Sequence, residues 1–228
     1  MKRGITILAI VTALLLSYAL YGALIGAPTE RTMGDVQRIF YYHVPSAWTA
    51  FLLFLINFVA SIIYLIRRSA KADILALVSA EVGVVFCTVV LVTGPIWARP
   101  VWGIWWAAGD IRLTTTLVLW VIYVSYLVLR RLSTSGQTPK IAAVLAIFGA
   151  LDVPLVYFSI WFFRTQHPSP VIGAGGSLDP RMGQVLLINW AAFLCLAWLV
   201  CWTRYRLEVA QRQVEEAQAL ESLLEGSR

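Results

Sequence analysis

The sequence predicts an all-α polytopic membrane protein with six transmembrane helices and both termini in the cytoplasm. Hydrophobic residues make up 60% of the 228 positions and charged residues 13%, about half the usual charged share of soluble domains. Six helices of about 20 residues would each cross a hydrocarbon core of about 30 Å and together use most of this apolar supply. The composition excludes a disordered chain, an ordinary soluble domain and a disulfide-stapled secreted module.

The six predicted spans are apolar runs of spanning length. Their approximate bounds are 5–25, 46–66, 73–93, 113–129, 141–162 and 184–203. The first run follows Lys2 and Arg3, as the apolar region of a signal peptide would. Its length and the lack of an obvious small-residue cleavage site favour an uncleaved span instead.

The distribution of basic residues predicts the direction of each span. Twelve of the 18 Lys and Arg residues lie near the termini or in the two short connections, which should therefore face the cytoplasm. The other six lie in longer connections at about 26–45, 94–112 and 163–183. Because long connections in compact proteins are often functional, we expect the function to reside on the outer face.

Two regions follow from this topology. Residues 1–204 form a six-helix membrane domain, which includes a tryptophan-rich outer segment at about 94–114 between the third and fourth helices. Residues 205–228 are rich in Glu, Gln, Ala and Leu, which favour helix, and form a cytoplasmic helical tail.

Cysteine and charge patterns exclude some functions. The three cysteines, Cys87, Cys195 and Cys201, lie inside apolar runs and form no C-x-x-C pair, which argues against thiol–disulfide chemistry and covalent haem attachment. The net charge of +6 comes from short clusters between apolar runs. This pattern is typical of membrane topology and argues against nucleic-acid binding.

Polar residues inside the predicted spans have structural and functional interpretations. Glu81 lies in the third span and Asp152 in the fifth, two residues before Pro154. Intramembrane charges are costly and often functional, so a proton path is one interpretation. We favour structural roles for both residues and for Asn57 in the second span, and Asp152 is placed to satisfy backbone groups freed near Pro154.

The two histidines, His43 and His167, both lie in outer connections next to helix ends. Pro45 suits the first turn of a helix, so we expect His43 just before the second span. Pro168 disfavours helix at the residue before it, so His167 should lie at the outer end of the fifth span. A lone interfacial histidine is usually solvated or hydrogen-bonded. Two at one level make a shared metal site an equal alternative to that interpretation. No Cys or acidic cluster accompanies them as zinc would require, whereas haem iron needs only one or two axial ligands.

The tryptophan-rich segment has four of the ten tryptophans within ten residues. If residues 101–107 are helical, Trp102, Trp105 and Trp106 share one face and form an aromatic shelf. An interfacial aromatic belt would explain scattered tryptophans, but this one-sided cluster suits a flat apolar ligand. Arg99 and Arg112 flank the shelf and are candidates for contacts with ligand carboxylates.

These segments resemble a known family. The runs WGIWW at 102–106 and DIRLT at 110–114 resemble the WWD signature of haem-handling proteins in cytochrome c maturation. The run QRIFYYHVPSAW at 37–48 resembles the first histidine segment of the haem exporter protein C family, the CcmC type. PLVYFS at 154–159 and RTQH at 164–167 resemble its second. The third tryptophan of the usual signature is absent, because AAG at 107–109 replaces that stretch and lengthens it by one residue.

The resemblance implies a haem-handling protein of the inner membrane rather than an enzyme. It implies that His43 and His167 ligate the iron of haem b at the outer face, and that the protein loads haem onto a chaperone of the CcmE type. The implied partners are an ATP-binding-cassette pair of the CcmA and CcmB type, a small CcmD-type membrane protein and membrane lipid. The implied haem contacts in the tryptophan-rich segment are Trp102, Gly103, Trp105, Trp106 and Asp110.

Two other functions are compatible with parts of the sequence. A membrane b-type cytochrome subunit in quinone-linked electron transfer would also bind haem through histidines, usually inside its spans, whereas the predicted spans contain none. A small-molecule permease with an aromatic outer gate would purify without haem. The two histidines at one level favour haem handling over both.

Overall fold

The computed structural model describes residues 2–163, 165–168 and 178–226, and these residues form α-helices without β-strands. Six helical segments are long and apolar enough to cross a membrane, at 3–26, 35–67, 70–102, 111–132, 138–162 and 180–225. The predicted number and order of spans are therefore confirmed. The observed segments lie within four residues of the predicted bounds except at three ends. The second begins 11 residues earlier, the third ends 9 residues later and the sixth ends 22 residues later than predicted.

The helices are bounded as follows in chain order. The first span consists of α1 (Lys2–Tyr21) and a π-helical turn (Gly22–Gly26), and a 3-10 turn (Asp35–Ile39) leads into the second. The remaining helices are α2 (Phe40–Arg67), α3 (Ala70–Trp102), α4 (Ile111–Leu132), α5 (Thr138–Ala150), α6 (Asp152–Phe162) and α7 (Pro180–Gly226).

The core lies between α2, α3 and α4. Phe54 of α2 is fully buried and stacks on Tyr123 of α4, with ring centroids 3.9 Å apart. Gly83 of α3 allows this approach, since a Cβ atom there would lie 2.7 Å from the Phe54 ring. Small residues at helix contacts are the usual means of close packing in membranes. Asn57 donates a hydrogen bond of 2.7 Å to the Ala76 carbonyl oxygen, which agrees with its predicted structural role.

The fifth span is broken into α5 and α6 at Leu151. Pro154 has no N–H and its ring clashes with the carbonyl four residues earlier, so a kink at this point is expected. One carboxylate oxygen of Asp152 is buried and has no hydrogen-bond partner in the described part of the chain. The expectation that Asp152 satisfies freed backbone groups therefore finds no support at that oxygen.

Ion pairs join α3, α4 and α7 at the end of the bundle where α3 begins. Asp73 accepts hydrogen bonds from Arg130 of α4 and from Arg212 Nη2 of α7, the latter at 2.8 Å. Glu81 pairs with Arg204 of α7 at 2.9 Å, which agrees with its predicted structural role. The predicted tail is a direct continuation of α7 as far as Gly226, and residues 227–228 lie outside the described residues.

Candidate functional site

The two histidines lie together at the end of the bundle opposite these ion pairs, which we call the histidine end. His43 lies in the first turn of α2, and His167 follows α6 in the short non-helical segment 165–168. Both side chains are partly buried. Their imidazoles lie close enough for their charges to interact with each other and with Arg112. The structure therefore brings together the two residues that the sequence predicted as metal ligands.

The position of His43 differs from the prediction. The 3-10 turn Asp35–Ile39 runs directly into α2, so the helix begins at Phe40, five residues before Pro45. His43 is consequently inside the second helical segment, near its N-terminal end, rather than before it. The helix that carries the second span therefore contains a histidine, whereas the predicted span at 46–66 does not.

A threonine of α3 fixes the tautomer of His43. The Thr93 hydroxyl lies 2.9 Å from His43 Nδ1 and 2.6 Å from the Val89 carbonyl oxygen. A hydroxyl has one proton, which goes to the carbonyl, an acceptor only. The hydroxyl oxygen must then accept a hydrogen bond from Nδ1–H of His43. The proton of the neutral ring is thereby held on Nδ1, and the lone pair lies on Nε2.

A backbone carbonyl has the same effect on His167. His167 Nδ1 lies 3.1 Å from the Pro168 carbonyl oxygen, which can only accept, so Nδ1 carries the proton. Burial and the nearby positive charge of Arg112 together lower the pKa of His167 to about 4, against the smaller opposing effects of the Pro168 carbonyl and Asp110. The imidazole is therefore neutral near pH 7, and its Nε2 presents a lone pair.

Asp110 connects the tryptophan-rich segment to the segment that carries His167. One of its carboxylate oxygens caps α4 by accepting from the Leu113 N–H at 3.1 Å. The other accepts from the Thr165 hydroxyl and from the Gln166 N–H, the latter at 2.7 Å. Burial alone would raise the pKa of Asp110, but these hydrogen bonds outweigh it and hold the pKa below its ordinary value. Arg164, from the same predicted motif, lies outside the described residues.

The tryptophan-rich segment does not form the predicted helical shelf. α3 ends at Trp102, and residues 103–110 are irregular. Gly103 has φ of +77°, a left-handed conformation that terminates the helix at little cost for glycine. Trp102 packs edge-to-face against Trp97 with centroids 5.1 Å apart, whereas Trp105 is 59% exposed. Trp105 and Trp106 therefore lie outside the helix that ends at Trp102, and the three indoles do not share one helix face.

The two candidate arginines have different surroundings. Arg99 donates to the carbonyl oxygen of Gly103, so it caps the end of its own helix. Arg112 lies on α4 within electrostatic range of both histidines and of Asp110. Arg112 is thus the cation that the fold places beside the imidazoles, and Arg99 lies at the edge of the segment.

Sequence reasoning missed an aromatic cluster on α6. Tyr157, Phe158 and Trp161 lie with ring centroids 5.1 to 5.8 Å apart, and each is about half exposed. Tyr157 also lies within electrostatic range of Arg112. The signal was present as aromatic residues at one-turn spacing just before the His167 segment.

The chain has clear relatives among characterised sequences. A family model described as "Heme exporter protein C" matches residues 1–220. "Heme exporter protein C" of Bradyrhizobium diazoefficiens is 33% identical over 218 residues, which cover 94% of this chain and 82% of that protein. The protein of that name from Escherichia coli strain K12 is 31% identical over 172 residues, covering 75% and 69%. An Arabidopsis thaliana "Putative cytochrome c biosynthesis ccmC-like mitochondrial protein" is 32% identical over 183 residues, covering 80% and 69%. The chain belongs to the heme exporter protein C family.

Proposed function

We propose that this membrane protein handles haem in cytochrome c biogenesis, holding it at the histidine end with His43 and His167 as axial ligands. The observation that carries the proposal is the hydrogen bonding of the two rings. Each imidazole donates from Nδ1 to a fixed acceptor, so each retains an Nε2 lone pair. Metal-binding histidines usually have such a partner on the other nitrogen, which fixes both the tautomer and the ring orientation.

The surroundings of the histidines also suit a porphyrin. Exposed aromatic side chains occur in the two elements that adjoin the His167 segment, with Trp105 in the α3–α4 segment and Trp161 on α6. Large aromatic faces bind flat apolar ligands well. Arg112 can pair with a propionate, and Arg99 can reach one if it leaves the Gly103 carbonyl. Trp102, Trp106 and Gly103 complete the proposed contact surface.

In our proposal Asp110 supports this site through hydrogen bonds within the protein. Both of its oxygens accept hydrogen bonds from the protein, so it holds the His167 segment next to the tryptophan-rich segment. We assign it a positioning role rather than direct contact with haem.

The family resemblance indicates the cargo, the membrane face at which it is held and the protein that receives it. We propose that haem b is the cargo and that it is held at the periplasmic face of the inner membrane. It is then passed to a CcmE-type chaperone. The proposed assembly also includes a CcmA- and CcmB-type ATP-binding-cassette pair and a CcmD-type small protein. The chain is a delivery component, and the ATP-binding-cassette pair would supply nucleotide-driven steps.

The test is spectroscopic. The purified chain, reconstituted with haem, should give a low-spin bis-histidine spectrum, and the His43→Ala and His167→Ala variants should each lose it. Cys195→Ser is the control, because a cysteine thiolate can also ligate haem iron but this cysteine lies inside the sixth membrane helix, and the substitution should leave the spectrum unchanged. An unchanged spectrum in the double histidine variant would contradict the ligand assignment.

The alternative of a b-type cytochrome subunit gains some support from the position of His43 inside a membrane helix. The two functions differ in what happens to haem. A delivery protein should lose its haem to an added apo-chaperone of the CcmE type, whereas a cytochrome should keep it and be reduced by a quinol. Retention of haem together with quinol-dependent reduction would favour the alternative.

A further inference from the structure

The distal part of α7 extends beyond the ion pairs at the end of the bundle opposite the histidines. Every residue from 213 to 225 is exposed. The helix continues without a break from the last membrane span to this segment, so its direction is set by the bundle. A long exposed helix on a compact membrane protein is an unusual feature that the proposed haem site does not explain.

Ion pairs fix the rotation of this helix about its axis. Arg204, Glu208 and Arg212 are spaced four residues apart and share one face. Arg204 pairs with Glu81, Arg212 pairs with Asp73, and Glu208 contacts both arginines at 3.0 to 3.3 Å. This face of α7 is therefore held against α3.

A second face carries an apolar seam, which we define as Leu207, Ala210, Val214 and Ala217. Their spacings of three and four residues follow the a and d positions of a heptad. At 100° per residue the seam points roughly 140° away from the ion-paired face. All four residues are exposed, with Leu207 at 60% and Val214 at 55%. The ion pairs thus turn the seam away from the bundle.

The charge of the segment identifies the kind of partner. Glu221 occupies the next a position of the seam, and residues 213–226 contain four glutamates and no Lys or Arg. An acidic helix is repelled by the anionic cytoplasmic leaflet, which disfavours membrane docking. A parallel second copy would place Glu221 opposite its own equivalent, and an antiparallel copy would bury it against an apolar residue. A partner helix with a Lys or Arg facing this position would neutralise the negative charge of Glu221.

We infer that the seam of α7 docks an amphipathic helix of another protein that carries a Lys or Arg opposite Glu221. Apolar residues of that helix would cover Leu207, Ala210, Val214 and Ala217. The inference is independent of the haem site, which lies on the other end of the bundle.

The probe is a labelled synthetic helix of about three heptads with an apolar seam and Lys at the position facing Glu221. Its counterpart carries Glu there. Binding to the full chain in nanodiscs of neutral lipid is followed by fluorescence anisotropy. The Lys probe should bind saturably and at least about tenfold more tightly than the Glu probe, because like charges oppose each other at the seam.

Two charge variants separate docking at the seam from general attraction. Glu221→Lys should reverse the preference between the probes. Glu216→Lys is the matched control, since it changes the net charge equally on another face of the helix, and it should alter affinity less than about twofold. Val214→Asp should abolish binding of the Lys probe.

Three results would overturn the inference. Equal losses in Glu221→Lys and Glu216→Lys would mean nonspecific charge attraction. If the distal segment of α7 binds vesicles that contain anionic lipid and does not bind the probe, the seam docks on a membrane surface rather than on a partner helix. Disulfide-linked dimers formed by Val214→Cys in preference to probe binding would make it a second copy. The haem spectrum should be unchanged in every variant, so failure here is distinguishable from failure of the proposed function.

Discussion

Thr93 offers the sharpest test of the proposed haem site. In Thr93→Val the methyl group replaces the hydroxyl that accepts from His43 Nδ1–H at 2.9 Å. The ring then has a partly buried N–H without an acceptor, which destabilises this arrangement of the ring by about 1–3 kcal/mol. An energy of this size corresponds to a factor of about 5–150 in an equilibrium constant. The neutral ring can also move its proton to Nε2, where it blocks the iron. Loss of the hydrogen-bond partner on the histidine nitrogen that does not bind the metal typically weakens metal binding by about 10–100-fold.

Haem affinity measured by absorbance titration checks this expectation. Thr93→Val should bind haem about 10–100-fold more weakly than the unmodified chain. Thr93→Ser keeps the hydroxyl and should restore affinity to within about threefold, in line with its smaller packing loss.

The chain provides a matched control one and a half turns away on α3. The Thr88 hydroxyl also donates to a carbonyl four residues earlier, at 2.7 Å, and accepts from a ring N–H, that of Trp120, at 2.8 Å. Thr88→Val therefore removes the same kind of hydrogen bond without touching a histidine. If Thr93→Val and Thr88→Val change haem affinity equally, the tautomer argument is refuted.

Three further predictions concern the supports of the fold. Asp110→Ala should speed hydrogen exchange of the segment carrying His167 and weaken haem binding, and unchanged exchange would contradict the positioning role. Asp73→Asn breaks a buried ion pair and should cost about 3–5 kcal/mol, seen as a lower thermal midpoint, whereas Asp35→Asn at an exposed pair should have little effect. Gly83→Ala places a methyl group against an aromatic ring and should destabilise the protein by about 1–3 kcal/mol in denaturant unfolding; equal stability would show that the ring can move.

The six spans could be predicted because apolar run length is a property of the sequence alone. The lipid core requires about 20 apolar residues per helix regardless of tertiary contacts. α2 begins earlier than Pro45 predicts, because this proline occupies the second turn of the helix rather than the first. The preceding 3-10 turn is tethered by Arg38, which donates to the Ala23 carbonyl oxygen at 2.9 Å. That contact spans fifteen residues and has no local signature.

The two histidines could be predicted as a pair, but the groups that orient them could not. Thr93 looks like an ordinary threonine in a membrane span until α2 and α3 are packed together. Asp110 is recognisable as a helix cap from its position before α4, yet its contacts with Thr165 and Gln166 cross 55 residues of sequence. Gly103 could have signalled the end of α3, since glycine after a helix commonly takes the left-handed conformation.

The hydrogen bonds of Asp110 also change how a defect at this position should be interpreted. The Asp110 carboxylate joins the α3–α4 segment, to which it belongs, to the segment that carries His167 through hydrogen bonds to both. Replacing it would let the walls of the site drift apart even if the carboxylate never touches the cargo. A loss of haem binding in such a variant therefore reports on the spacing of those walls, and a second cross-link between the two segments should rescue it.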